Sequence, residues 1–170
     1  MIVELGSIDV GSRPFEFTVP AGEIDLELDS AKIIGTIDAR GEVIKSIAQT
    51  DVRGHISGIA AMECVRCLQP VKRNLGIDFE VTYVEPEHFA ADKEREVTAG
   101  DLETDVLFEQ KIDLKDVVRE QILLDLPIQV FCGKDCRGLC EKCGANLNIT
   151  SCGCREDKID PRWSALKNLK

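Results

Sequence analysis

The sequence predicts an α+β fold: an antiparallel β-sheet or partly closed barrel with one covering helix, a C-terminal cysteine-rich module and a short terminal helix. Apolar and polar residues alternate over much of the first 85 residues, which is the period of half-buried strands. The spacing becomes helical near residue 114, and six of the eight cysteines lie within residues 132–154. We therefore expect a β-rich body with its covering helix over residues 1–127. Residues 128–170 should form the cysteine-rich module and a C-terminal helix packed on the body.

Period-two and β-branched runs mark the expected strands. They lie at residues 15–19, 24–28, 32–38, 43–48, 52–62 and 77–83. Residues 39–42 (Ala-Arg-Gly-Glu) separate two of these runs and predict a hairpin turn. Gly54 and Gly58 interrupt a later run, which indicates a bulge or a close approach of neighbouring backbone. The order of the runs favours a meandering antiparallel sheet.

Two helices are expected. Asp113 is the predicted N-cap of the first, Asp116 lies favourably near its N-terminus, and Pro127 ends it. Its apolar face comprises Leu114, Val117, Val118 and Ile122, widened by Leu123, Leu124 and Leu126. This face should pack on the sheet, although a partner-binding helix is the alternative. Asp160-Pro161 begins the second, short terminal helix, because Asp is a good N-cap and Pro suits the first helical position.

The cysteine-rich stretch has the spacing of a metal site. Cys140-Glu-Lys-Cys143-Gly144 resembles a zinc knuckle, in which two thiolates hold one ion from a tight turn and the glycine permits a positive φ. Cys152-Gly-Cys154 supplies a second closely spaced pair after an eight-residue loop. The alternatives are buried free cysteines or a disulfide framework. Zinc, in a module of the zinc-ribbon type, is the predicted cofactor, although four-cysteine sites also take iron.

A separate pair, Cys64 and Cys67, precedes Pro70 between two predicted strands. A turn is where two ligands can converge, so the pair is predicted to be half of a metal site; a structural or redox role is the alternative. We expect two zinc ions, each held by four thiolates. The predicted sets are Cys140, Cys143, Cys152 and Cys154 for one ion, and Cys64, Cys67, Cys132 and Cys136 for the other.

Charge and composition restrict the function. The chain has a formal net charge of −10, yet residues 132–170 carry eight basic and five acidic side chains. An rRNA contact, if there is one, is therefore expected in this C-terminal tail, and the acidic body suits a basic protein partner. With neither a secretory signal nor a membrane span visible, we expect a cytoplasmic protein with reduced thiols and no membrane contact.

Catalysis is not expected. The sequence has no G-x-x-x-x-G-K-[ST], G-x-G-x-x-G, G-x-S-x-G or H-E-x-x-H motif. A zinc ion closed by four thiolates also has no open position for water or substrate. The sequence thus predicts a protein that is not an enzyme.

The motifs together resemble those of the YceD family, the large ribosomal RNA subunit accumulation proteins of bacteria and plastids. The matching segments are residues 63–68 (E-C-V-R-C-L), Pro70-Val71, Leu126-Pro127, residues 136–148 (C-R-G-L-C-E-K-C-G-A-N-L-N), residues 152–154 (C-G-C) and residues 159–163 (I-D-P-R-W) before Leu166. The resemblance implies a role in 23S ribosomal RNA accumulation or processing and in large-subunit assembly. It implies no active site.

The leading hypothesis is thus a non-catalytic scaffold or adaptor for ribosome assembly. Its protein partner would be a ribosomal protein or an rRNA-processing factor. The alternative is a thiol-based redox switch that releases zinc on oxidation.

Overall fold

A computed structural model describes residues 1–86 and 104–154 of the chain. Its strands are β1 (Ile2–Glu4), β2 (Gly11–Pro20), β3 (Ala31–Lys45), β4 (Gln49–Glu63), β5 (Pro70–Val84), β6 (Thr104–Val106) and β7 (Lys111–Asp113). An α-helix, α1, spans Leu114–Asp125. The predicted helix beginning at Asp160 lies outside the described residues.

The strands form a five-stranded sheet and a small two-stranded one. The larger sheet has the order β2-β3-β4-β5-β6, with β2 to β5 antiparallel and β6 parallel to β5. The smaller sheet pairs β1 with β7. This confirms the predicted antiparallel sheet with one helix. The described strands form two open sheets, so this part of the chain contains no closed barrel.

A single main core lies between one face of the large sheet and the helix. Ile37, Val52 and Ile56 are fully buried on the sheet, and Val118 and Ile122 are fully buried on α1. The alternating burial along β4 and β5 is the period of two that the sequence predicts. The opposite face of each strand is free for polar residues.

Residues 24–28, predicted as a strand, do not form one. Ile24 and Leu26 are buried as the pattern requires, but Leu28 is exposed. The backbone N–H of Glu27 bonds to the Asp25 carboxylate, and Glu27 has a φ of 55°. This left-handed residue and local Asx bond turn the chain, so the segment buries its apolar residues without pairing.

The predicted hairpin turn at residues 39–42 is also wrong, because β3 runs unbroken through it. Gly41 pairs with Gly54 of β4 instead. A Cβ atom on Gly41 would come within 2.1 Å of the Arg53 carbonyl oxygen. The glycine therefore permits a close approach of β3 and β4. From the sequence alone, a glycine at this position is equally compatible with a turn.

Helix α1 begins and ends where the sequence predicts. The Asp113 side chain caps it by accepting from the Lys115 N–H at 2.9 Å, and Leu126 is its C-cap. The exception is Leu124, which is 79% exposed instead of widening the packed face. Among the described residues, no helix is both long and apolar enough to cross a membrane.

Candidate metal centres

The eight cysteines come together in two groups of four. Cluster 1 comprises Cys64, Cys67, Cys132 and Cys136, and cluster 2 comprises Cys140, Cys143, Cys152 and Cys154. Within each cluster the four sulfur atoms all lie within 4.8 Å of one another. These are the two sets that the sequence spacing predicts.

Cluster 1 joins two distant parts of the chain. Cys64 and Cys67 lie in the turn between β4 and β5, and Cys132 and Cys136 follow helix α1. Cys64 Sγ is 3.8 Å from Cys136 Sγ, and Cys67 Sγ is 3.5 Å from Cys132 Sγ. Three of the four residues are buried, and Val71 and Leu139 pack against them in a small core of their own.

The two C-x-x-C turns share one backbone geometry. In cluster 1 the N–H of Leu68 donates to the Cys64 carbonyl at 2.9 Å, and Leu68 has a φ of 57°. In cluster 2 the N–H of Gly144 donates to the Cys140 carbonyl at 2.8 Å, and Gly144 has a φ of 70°. Only the second turn has glycine at this left-handed position, so the first turn contains a strained leucine.

The clusters are linked by contacts through the intervening loop. The Leu139 N–H donates to the Arg66 carbonyl at 3.1 Å, which ties this loop to the first C-x-x-C turn. Asn148 lies in the loop between Cys143 and Cys152. Its side-chain amide donates to Cys136 Sγ at 3.4 Å, and its oxygen accepts from the Arg137 N–H at 2.8 Å. The loop between Cys143 and Cys152 thus contacts a sulfur of cluster 1.

The sulfur geometry suits a tetrahedral ion better than a disulfide. Four sulfurs, each about 2.3 Å from one Zn²⁺, are about 3.8 Å apart in a tetrahedron. The separations of 3.5 and 3.8 Å in cluster 1 match that spacing. A disulfide needs about 2.05 Å, and all eight cysteines are free thiols. Donor type, number and spacing all fit a thiophilic metal such as zinc.

One thiol in each cluster ionises easily. Burial opposes ionisation of Cys64, but backbone N–H groups, chiefly that of Arg66, donate to its sulfur and lower its pKa to about 6. In cluster 2 the backbone N–H groups of Cys143 and Lys142 lower the pKa of Cys140 to about 6. A thiolate is the form that binds metal, so each cluster has a ready first ligand.

Another thiol in each cluster resists ionisation. Sulfur neighbours, first Cys136 and then Cys67, raise the pKa of Cys132 to about 12. Cys143 raises the pKa of Cys154 to about 12 in the same way. Several negative sulfurs cannot share so small a space without a cation, and a bound dication would remove that repulsion.

Sequence reasoning missed three residues of this region: Arg66, Leu68 and Asn148. Arg66 and Leu68 lie within or beside a recognised C-x-x-C pair, so the motif itself could have drawn attention to them. Asn148 ends the family-like segment at residues 136–148, but that segment gives no sign of its contact, because its sulfur partner lies 12 positions upstream in the other cluster. Short-range spacing cannot reveal that contact.

An antiparallel sheet with one covering helix and two four-thiol clusters defines this chain as a β-rich protein with two candidate metal centres. Residues 52–170, which include all eight cysteines, match the profile of the family described as large ribosomal RNA subunit accumulation protein YceD. The chain belongs to the YceD family. The resemblance seen in its motifs is thereby confirmed.

Individual relatives agree with this assignment. An uncharacterized protein of Mycobacterium tuberculosis is 31% identical over 118 residues, covering 69% of this chain and 54% of that protein. The protein YlbN of Bacillus subtilis is 25% identical over 169 residues, which is 99% of this chain and 94% of YlbN. The chain thus spans about half the length of the mycobacterial relative.

A plant relative supplies a functional name. The chloroplastic large ribosomal RNA subunit accumulation protein YCED homolog 1 of Arabidopsis thaliana is 36% identical over 61 residues. These cover 36% of this chain and 19% of that protein. No solved structure matches the chain.

Proposed function

We propose that this chain is a non-catalytic factor for 23S ribosomal RNA accumulation and large-subunit assembly, which acts as a scaffold or adaptor. The observation that carries the proposal is the family match over residues 52–170, because the family is named for large ribosomal RNA subunit accumulation. In this proposal each cysteine cluster holds one Zn²⁺. Zinc supplies cross-linking of the thiolates, with no redox chemistry of its own.

Cluster 1 is the basis of the scaffold role. It would fasten the segment after α1 to the turn between β4 and β5, with Cys67 and Cys132 65 positions apart along the chain. Closing so long a loop constrains how the cysteine-rich module lies on the sheet. Cluster 2 uses only local chain, so it would order the module itself.

Two further arguments support a binding role over catalysis. All eight cysteines fall in two sets of four, so with a metal ion bound by each set no thiol is left to act as a nucleophile. Four thiolates around one zinc ion also leave no coordination position for a substrate.

The body outside residues 132–170 has a formal charge of −13, which suits a basic partner such as a ribosomal protein or an rRNA-processing factor. A cytoplasmic location stays a prediction.

Depletion of the chain in the organism that encodes it tests the proposal. We expect the ratio of 23S to 16S rRNA, and of large to small subunits, to fall. Wild-type protein and the variant Ser151→Ala, an exposed neighbour of Cys152, should restore both ratios, whereas Cys64→Ser should not. An unchanged rRNA ratio after depletion would contradict the proposed function.

A redox switch is the second candidate, favoured by the exposure of Cys132, Cys143 and Cys154. Exposed thiolates are the ones that peroxide reaches first. Zinc release during mild peroxide treatment separates the two functions. A scaffold should keep its zinc over the time in which a small zinc-thiolate peptide loses it, and a switch should release zinc at least as fast as the peptide.

A further inference from the structure

A groove lies beside cluster 1, outside the two metal centres. Arg66, Phe131, Gly133 and Lys134 line it, and its volume is about 490 Å³. It is formed where the chain leaving α1 passes the first C-x-x-C turn, with the Val65 N–H donating to the Val130 carbonyl at 3.0 Å. We call it the Arg66–Phe131 groove.

The guanidinium of Arg66 is held in place over an aromatic ring. Its Cζ atom lies 4.9 Å from the centroid of the Phe131 ring, and Nη1 donates to the Cys136 carbonyl at 3.1 Å. The Arg66 backbone is itself fixed, because its carbonyl accepts from the Leu139 N–H. A pre-oriented guanidinium loses less freedom when a ligand binds than a mobile one does.

The groove combines an exposed ring with positive charge. Phe131 is 43% exposed, although it is a large apolar side chain. Arg66 and Lys134 supply two cations, and none of the four lining residues is acidic. On a chain with a net charge of −10, two cations beside an exposed ring suit an anionic ligand that also offers a flat apolar face.

A nucleotide has both properties. We propose that the Arg66–Phe131 groove binds single-stranded RNA, with one nucleobase stacked against the Phe131–Arg66 pair and the adjoining phosphates beside Arg66 and Lys134. This inference rests on the proposed function, which makes ribosomal RNA the relevant nucleic acid. An acidic protein segment would use the two cations but not the ring. The partly exposed Phe131 ring is therefore the feature that favours RNA.

The small number of cations gives the site a distinctive salt dependence. Two phosphate contacts on a single strand predict a slope of about −1.4 for log K against log salt. Binding by a longer basic tail would give a steeper slope, because each further phosphate contact adds to it. Stacking depends little on salt by comparison, so the contribution of the ring to the affinity should persist at high salt.

The test uses the full-length, zinc-loaded chain and an unstructured, fluorescently labelled RNA of about ten nucleotides. Phe131→Ala removes the ring and should weaken binding roughly five- to hundred-fold, the effect of one stacked base. Phe131→Trp should restore wild-type affinity. A Cβ atom added at Gly133 meets no atom within 4 Å, so Gly133→Leu should fold, keep its zinc and obstruct the groove.

Phe108→Ala is the matched control, because Phe108 is 84% exposed and lies on the loop between β6 and β7. It should bind RNA like the wild type. The proposed RNA site would be overturned if Phe131→Ala and Gly133→Leu bound RNA as tightly as the wild type. It would also be overturned if Phe108→Ala lost as much RNA affinity as Phe131→Ala. Tighter binding of a poly-glutamate peptide than of RNA would overturn it as well. If depletion lowers 23S rRNA while both groove variants bind RNA normally, the proposal that the groove binds RNA is wrong and the proposed function stands.

Discussion

The side-chain amide of Asn148 donates to Cys136 Sγ at 3.4 Å. Asn148 belongs to the loop of cluster 2, and Cys136 belongs to cluster 1. The same side chain accepts from the Arg137 N–H at 2.8 Å, which fixes its orientation. The two candidate centres therefore share a hydrogen-bonded loop, and a change in one should affect the other.

Asn148→Ala should weaken metal binding at cluster 1 without removing any ligand. Loss of a partner that orients a metal ligand typically costs about 10- to 100-fold in metal affinity. Chelator competition measures this affinity for each of the two sites. Asn74→Ala, on the exposed side of β5, is the matched control and should leave both affinities unchanged. Unaltered binding in Asn148→Ala would show that the contact does not orient Cys136.

Leu68→Gly should stabilise the protein by about 1 kcal/mol, the strain of a left-handed residue with a Cβ atom. Leu68 is 56% exposed, so little apolar burial is lost. The opposite change, Gly144→Ala, introduces the same strain in the second turn and should be destabilising by a similar amount. Denaturant unfolding of the zinc-loaded variants measures both effects. Two changes of the same sign would refute the shared turn geometry.

Cys143→Ser should remove one zinc and disorder the module while sparing the β-sheet. Structural zinc contributes about 10–16 kcal/mol of apparent binding energy, so a module without it should not stay folded. Hydrogen exchange should rise across residues 138–154 and stay low in β4 and β5. Cys67→Ser is the companion variant, in which exchange should also rise at the turn between β4 and β5. Full protection of residues 138–154 in Cys143→Ser would count against the assignment of cluster 2.

Gly41→Ala should destabilise the sheet by about 2–3 kcal/mol, the cost of overpacking against backbone that cannot move aside. The added Cβ would meet the Arg53 carbonyl oxygen at 2.1 Å. Gly76→Ala is the control, because a Cβ there meets no atom within 4 Å. Thermal unfolding distinguishes the two variants. Equal melting temperatures of the two variants would mean that the stability of the sheet does not depend on the close approach at Gly41.

The outcome at Gly41 shows what the sequence can and cannot predict. Alternation along β4 and β5 and the capping residue Asp113 are local signals, so these elements were predicted correctly. Gly41 and the segment at residues 24–28 were not, because their conformations depend on Gly54 across the sheet and on a left-handed Glu27. A glycine inside a strand and one in a turn give the same sequence signal.

The candidate site likewise has features that the sequence predicts and others that it does not. Close pairs such as Cys140 and Cys143 can be recognised from their spacing in the sequence. The remaining four thiols could be grouped because two thiolates alone, half of a tetrahedral coordination shell, bind metal weakly. Contacts such as that of Asn148 with Cys136 depend on how two loops meet in space.

The division of the chain at residue 127 stays a prediction.

Zinc content and zinc-edge X-ray absorption on protein purified without added metal test the central claim most directly. The account predicts two zinc ions per chain, each bound by four sulfurs at about 2.3 Å. Well under one zinc per chain, with all eight thiols freely titratable, would contradict it. So would a first shell in which nitrogen or oxygen replaces sulfur.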